Sequence, residues 1–406
     1  MRFKLAKRVV TIGWSTTNAL LGAVFSVLLS VEVIRLCSKD LWGTMVELML
    51  WFGLASHVLS FGNDNLLLRE FSLMPKNISA NWGKSLQSRT WLYILISIIL
   101  FFSPLEIKLK TLLVIYLAAN FFYKSYDVLI LFKKQFIISV LLETSGFLLI
   151  ASYILINNKN ISLYKLVFVY GLAELCKAIA VGFLFRKEIK IPVLNFSIAY
   201  FSLALPFFLL EFTGLLQSKT DLICVTSLLS KEKIAQYQVY VNFLLIIQSS
   251  AGFILAPFIR NIYRMKSKSI HKLAVKFFSF GVVIAFVSII CVNFFIHRFY
   301  GFSIPAFTLI AGALFIIPIF FYAIVIYQLL KINKQRSVVI VNILGVVVSL
   351  LLNLLLIPYS KDGVSGAIVA IAITQWILLF VYAAIQRRIN RRPVVVSDEI
   401  KKVRPN

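Results

Sequence analysis

Long apolar runs, broken by short polar segments, follow one another along the whole chain. Twelve of them approach the roughly 20 residues that a helix needs to cross the hydrocarbon core of a bilayer. They lie near 11–36, 41–62, 87–104, 111–132, 136–156 and 163–185, then near 203–229, 234–259, 273–296, 304–330, 338–357 and 364–386. Within the runs the apolar residues follow neither a period of two nor a stripe every 3.6 residues. Surface helices carry such a stripe, and barrel strands alternate over about ten residues. The pattern predicts an all-α, polytopic membrane protein of about twelve transmembrane helices.

Composition agrees. Of the 406 residues, 60% are hydrophobic and 14% charged, against about 25% charged in a soluble domain. The net charge of +26 raises the question of nucleic acid. No basic domain stands apart from the spans, however, and nucleic acid is excluded as a partner. The basic residues lie in the connecting segments, where they meet anionic membrane lipids, and they alternate by side. One side collects Arg2, Lys4, Lys7 and Arg8; Arg69, Lys76, Lys84 and Arg89; Lys133 and Lys134; and the basic residues near 186–190, 260–272 and 331–336. Positive residues stay cytoplasmic, so both termini are expected inside. "MRFKLAKRVV" leads into an apolar run without a small-residue cleavage site and reads as a retained first span. The scattered Cys37, Cys176, Cys224 and Cys291 form no CxxC or Cys/His spacing, so no metal site is expected.

The two halves read as copies. "VIRLCSKDLWG" (Val33–Gly43) lies over "VTSLLSKEKIA" (Val225–Ala235), with Asp40 opposite Glu232 and Gly43 opposite Ala235. "KKQ" before span five matches "NKQ" before span eleven. Parallel six-helix repeats are a transporter architecture. The expected units are a six-helix lobe over 1–190, a second over 191–386, and a basic cytoplasmic tail over 387–406. The join falls in the charged, proline-containing "FRKEIKIPVLN" (Phe185–Asn195).

A charge at the bilayer centre costs at least about 2.5 kcal/mol, so those kept inside a span usually have a use. Lys124 and Asp127 in "FFYKSYDVLILF", and Glu174 and Lys177 in span six, are i,i+3 pairs that share a helical face. Span five carries Glu143, and span seven carries Glu211, Lys219 and Asp221. The first span ends with Glu32 and Arg35, and the second holds Glu47 and His57. A single pair could simply staple two helices while its lysine stem snorkels to the surface. The whole set fits better with faces that converge on a water-filled cavity, chiefly in the first lobe. Pro206, Pro257 and Pro318 each remove a backbone hydrogen bond and permit a kink.

Several stretches resemble the Wzx-type polysaccharide flippases, relatives of the MATE exporters and of lipid II flippases. "NLLLIPYSKDGVSGAIVAIAITQ" (Asn353–Gln375) is similar to their span 11–12 junction, with Asn353, Ile357, Pro358, Gly363, Gly366 and Ala367. It departs in Ile368, where the family pattern has a second Ala. "KTDLICVTSLLSKEKIAQY" resembles their seventh span, and "SKDLWGTMVELMLWFGLASHVLSFGNDNLLLRE" the corresponding first-repeat region. The resemblance implies a flippase, not an enzyme and without a cofactor. It would move undecaprenyl-diphosphate-linked O-antigen or other surface-polysaccharide units from the inner to the outer leaflet of the cytoplasmic membrane. Alternating access would be driven by an H+ or Na+ gradient, with a polysaccharide polymerase and a chain-length regulator as neighbours. Lys124, Lys177, Lys219 and Arg35 are then the candidates for the diphosphate or its path. Asp127, Glu143, Glu174, Glu211 and Asp221 are the candidates for ion coupling or charge pairing.

A MATE-like drug antiporter shares this architecture, but would call for an acid-dominated cavity, which the embedded lysines oppose. A membrane polymerase or lipid-linked glycosyltransferase would need a long outer loop, and the chain has none. No nucleotide-binding loop or catalytic triad is present either.

Overall fold

The computed structural model describes residues 2–157, 160–186, 196–255, 258, 262–263, 265, 267–332 and 334–391. The first half contributes α1 (Arg2–Leu36), α2 (Lys39–Ser60), α3 (Asn63–Leu73), α4 (Ile78–Phe101), α5 (Ile107–Ser125), α6 (Asp127–Lys133), α7 (Phe136–Asn157) and α8 (Leu163–Leu184). The second contributes α9 (Ile198–Leu228), α10 (Lys231–Leu255), α11 (Ser267–Tyr300), α12 (Ala306–Ile316), α13 (Ile319–Lys331), α14 (Gln335–Tyr359) and α15 (Val364–Arg391). No strand occurs among the described residues.

Three rods are interrupted, between α2 and α3, α5 and α6, and α12 and α13. Counting each of these as one gives twelve rods, of which ten are long and apolar enough to cross a membrane. The other two are α1 and α4, and Lys84, Gln87 and Arg89 occupy the first half of α4.

Each interruption has a local cause. Between α2 and α3, Phe61 and Gly62 take φ values of 45° and 66°, in the left-handed region. A Cβ on Gly62 would also lie 2.5 Å from the backbone nitrogen of Phe208, so glycine serves both the turn and the approach of α9. The α5–α6 break falls at Tyr126, between Lys124 and Asp127. Pro318 separates α12 from α13, because its nitrogen cannot donate to the preceding turn. Pro206, by contrast, stays inside α9.

Two expectations change here. The segment near 63–86, read as a polar connection, is mostly helical: α3, a 3-10 turn over Pro75–Asn77, and the first turns of α4. Asn63, Leu66, Leu67 and Phe71 recur at helical spacing and are buried. The third rod accordingly spans Ile78–Phe101 rather than 87–104. Pro257, the lobe boundary at 190/191 and the tail beyond 391 lie outside the described residues.

Helix pairings recur between the halves. α1 packs on α7, α5 on α8 and α7 on α8; likewise α9 packs on α14, α12 on α15 and α14 on α15. The halves meet chiefly through α2 against α10, flanked by α1 against α10 and α2 against α9.

Candidate functional site

Charges from three first-half helices converge. The Lys177 ammonium in α8 lies 3.0 Å from a Glu143 carboxylate oxygen in α7 and 2.6 Å from Glu174, one turn away. The Tyr123 hydroxyl donates to the other Glu143 oxygen at 2.8 Å, and the Lys177 ammonium sits 4.5 Å from the centre of the Tyr123 ring. Glu174 Oε2 is buried and has no partner. Beside this cluster, Lys124 closes the end of α5 and pairs at 3.1 Å with Asp127, which opens α6. The charges suit their places, since a cation is favoured at a helix C-terminus and an anion at an N-terminus.

The charged groups of both cluster and pair line a cavity of about 670 Å³ between the halves, walled chiefly by α1, α2, α5, α7, α8 and α9, with single residues from α3, α4, α6 and α10. A recess of about 410 Å³ shares Lys124, Asp127, Glu143, Glu174 and Lys177, and reaches Ile130, Phe136 and Ser139 near the α6–α7 junction. Glu211 and Lys219 of α9 also line the main cavity, and Glu211 accepts a 2.5 Å hydrogen bond from Asn65. Seven of the nine residues singled out from the sequence therefore share one space.

The other two do not line it. Arg35 donates to the carbonyls of Arg298, at 2.7 Å, and Phe299, closing the last turn of α11 at the opposite end of the bundle. Asp221 is buried between α9 and α10, where its carboxylate accepts from the Tyr237 hydroxyl.

Sequence reasoning assigned Arg89 to a cytoplasmic connection; it is instead buried in α4 and lines the cavity. Its guanidinium donates to Ser85 Oγ at 3.1 Å, the Leu59 carbonyl at 3.4 Å and Ser125 Oγ at 3.1 Å, and lies 5.3 Å from the centre of the Phe121 ring. Asp64, His57 and the hydrogen-bonded pair Ser56–Asn120 (2.6 Å) face the same space. The signal for Arg89 was helical spacing: Trp82, Ser85 and Arg89 follow one face and are all buried. Its walls thus offer four fixed cations, Arg89, Lys124, Lys177 and Lys219, and five carboxylates, Asp64, Asp127, Glu143, Glu174 and Glu211. A charged guest must displace a carboxylate from Lys124 or Lys177, or use Arg89 or Lys219.

At the end where α1 turns into α2, the halves are tied together. Lys39 pairs with Glu232 at 2.9 Å, Lys231 pairs with Glu47, and Ser30 shares a 2.7 Å hydrogen bond with Tyr300.

No protein-family model matches the chain, and no curated protein matches it in sequence. Solved structures do. An inward-facing multidrug resistance MATE family transporter of the MOP superfamily is similar at a TM-score of 0.70 and 14% identity, over 93% of this chain and 97% of that one. The lipid II flippase MurJ, in an inward closed conformation, is similar at 0.70 and 14% identity, over 95% and 88%. An outward-facing MATE family transporter is similar at 0.58 and 11% identity, over 93% and 95%. The chain is a multi-pass membrane protein with the fold that the MATE transporters and the lipid II flippase share.

Proposed function

We propose that this protein is a flippase, moving an oligosaccharide joined through a diphosphate to an undecaprenyl tail from the inner to the outer leaflet of the cytoplasmic membrane. The observation that carries this reading is a cavity inside a membrane-spanning bundle with four fixed cations in its wall. Sugars and a diphosphate cannot cross hydrocarbon unaided, whereas the prenyl tail can stay in lipid. A carrier therefore needs a polar chamber between two halves that open in turn, with the halves dividing near 190/191. The ties at the α1–α2 end hold one side shut, and the recess at Lys124 and Lys177 extends toward the other. With the basic segments and both termini cytoplasmic, the open side is the inner one. Glu143 and Glu174, which share one lysine, are the best seat for a coupling H+ or Na+.

One observation favours a second reading. Five carboxylates face four cations, an acidic balance that suits a MATE-like exporter of cations. The two separate on one experiment: quantify diphosphate-linked oligosaccharide in cells lacking the protein and find which leaflet holds it. Inner-leaflet accumulation, reversed by the intact gene, supports flipping. Normal outer-leaflet delivery with new sensitivity to lipophilic cations supports export.

A further inference from the structure

Within the cavity, Lys124 and Lys177 have ion-pair partners, and Lys177 has two. Arg89 differs. It is 2% exposed, and no carboxylate among the described residues comes within ion-pair distance of it. Asp64 faces the same cavity and acts on Arg89 through space, without a direct ion pair. The groups that hold the guanidinium are the Ser85 and Ser125 hydroxyls and the Leu59 carbonyl, with the Tyr200 hydroxyl beside Ser85, all neutral. A buried cation hydrogen-bonded only by neutral groups, with Asp64 acting on it at longer range, is incompletely compensated for its lost hydration, and an anion at the cavity wall would add to that compensation. Its position is also well set. Ser85 fixes it from its own helix, Ser125 from the end of α5, and Leu59 from the last turn of α2 before the left-handed break. The face of Phe121 supports the plane, so the fork enters the cavity wall pre-oriented, as oxyanion recognition requires.

We propose that Arg89 is the phosphate anchor of the cavity: its guanidinium binds an oxyanion of the diphosphate, while Lys124 and Lys177 stay engaged with their carboxylates. This rests on the flippase reading and adds the residue that meets the charged group first. Because the fork is fed from α2, α4 and α5 at once, an anion seated on it also holds the α2–α3 break against the first-half core.

The test uses the purified full-length protein in lipid nanodiscs and inorganic pyrophosphate as the probe. Arg89→Gln weakens pyrophosphate binding about tenfold or more, the scale of one charged hydrogen-bonded contact. Arg89→Lys, which keeps the charge but loses the fork to Ser85 and Ser125, recovers part of that binding and falls between Arg89→Gln and the parent. A purely structural arginine predicts equal losses in both variants, and that outcome overturns the assignment. Unchanged binding in Arg89→Gln also overturns it and leaves the diphosphate reading standing. Absence of pyrophosphate binding in the parent protein overturns both.

Should Arg89→Gln fail to fold, single cysteines decide in a chain with the four native cysteines replaced. One is placed at Ser56, a turn before Leu59, and one at Ser139 in the lysine recess. Pyrophosphate that slows labelling at 56 supports the anchor. Slowing at 139 alone puts the anion on the lysines and overturns it.

Discussion

Lys39, at the start of α2, is ion-paired across the seam with Glu232, at the start of α10, with Nζ and Oε1 2.9 Å apart. The pair has a counterpart. Lys231, which aligns with Lys39 when the two halves are overlaid, bonds Glu47 of α2. Each half thus lends its lysine to an acid of the other, and the contact is close enough that a Cβ on Gly43 would meet the Lys231 carbonyl. Both pairs must part if this end is to open. With the Lys39 and Glu232 side chains 35% and 51% exposed, that pair contributes at most about 1 kcal/mol, a bias and not a lock. Lys39→Glu, which sets two acids face to face, is expected to speed labelling of a cysteine at Met45 by about fivefold. Adding Glu232→Lys should return the rate to that of the parent.

Gly62 makes a sharper prediction. Its φ of 66° disfavours any side chain by roughly 1–2 kcal/mol. A Cβ would also press on the Phe207–Phe208 backbone of α9, close to Pro206. Gly62→Ala should therefore lower the unfolding temperature in detergent and reduce transport together. Gly252→Ala, where an added Cβ meets nothing within 4 Å and which lines neither cavity nor recess, should do neither.

Ten of the twelve rods were legible because lipid imposes a crude requirement: about 20 residues, nearly all apolar. The same coarse signal hid α3 and the start of α4. Asn63, Asp64, Asn65, Arg69 and Glu70 pull the local hydropathy down, and only the spacing of Leu66, Leu67 and Phe71 marks the helix. The charged cluster was legible as i,i+3 pairs, which a helix must bring to one face. Which helices then meet is a matter of packing, and no local pattern encodes it. Glu143 could be paired with Lys177 only once α7 lay on α8. Arg35 and Asp221 were separated from the site for the same reason: one reaches α11, the other α10.

Lys124 and its partner keep 51% and 30% of their side-chain surfaces exposed. Removing the lysine therefore strands little buried charge, and Lys124→Ala should cost less than about 1 kcal/mol of stability. When the diphosphate leaves Arg89 and passes the recess later in the cycle, Lys124 is the exposed cation on its path, and transport should still fall at least about tenfold, the worth of one charged contact. Normal inner-to-outer delivery by a stable Lys124→Ala protein would falsify the role given to this lysine.

Lys177 should behave in the opposite way. Its side chain is only 6% exposed and serves two carboxylates, one of which, Glu174, already has an oxygen without a partner. Lys177→Ala leaves both acids facing a cavity with Lys124 as the next ammonium, already bound to Asp127. Stranding a buried charge in this way costs about 3–5 kcal/mol, so the variant should unfold at a markedly lower temperature. Stability alone would then lower transport and disguise any direct role. The triple variant Lys177→Met, Glu143→Gln, Glu174→Gln removes the charges together, and well-packed neutral replacements of buried ion pairs are often no less stable than the pair. It should recover most of the lost unfolding temperature. Transport that stays absent in that stable protein assigns the triad to the transport cycle. Transport that returns with stability reduces it to a staple between α7 and α8.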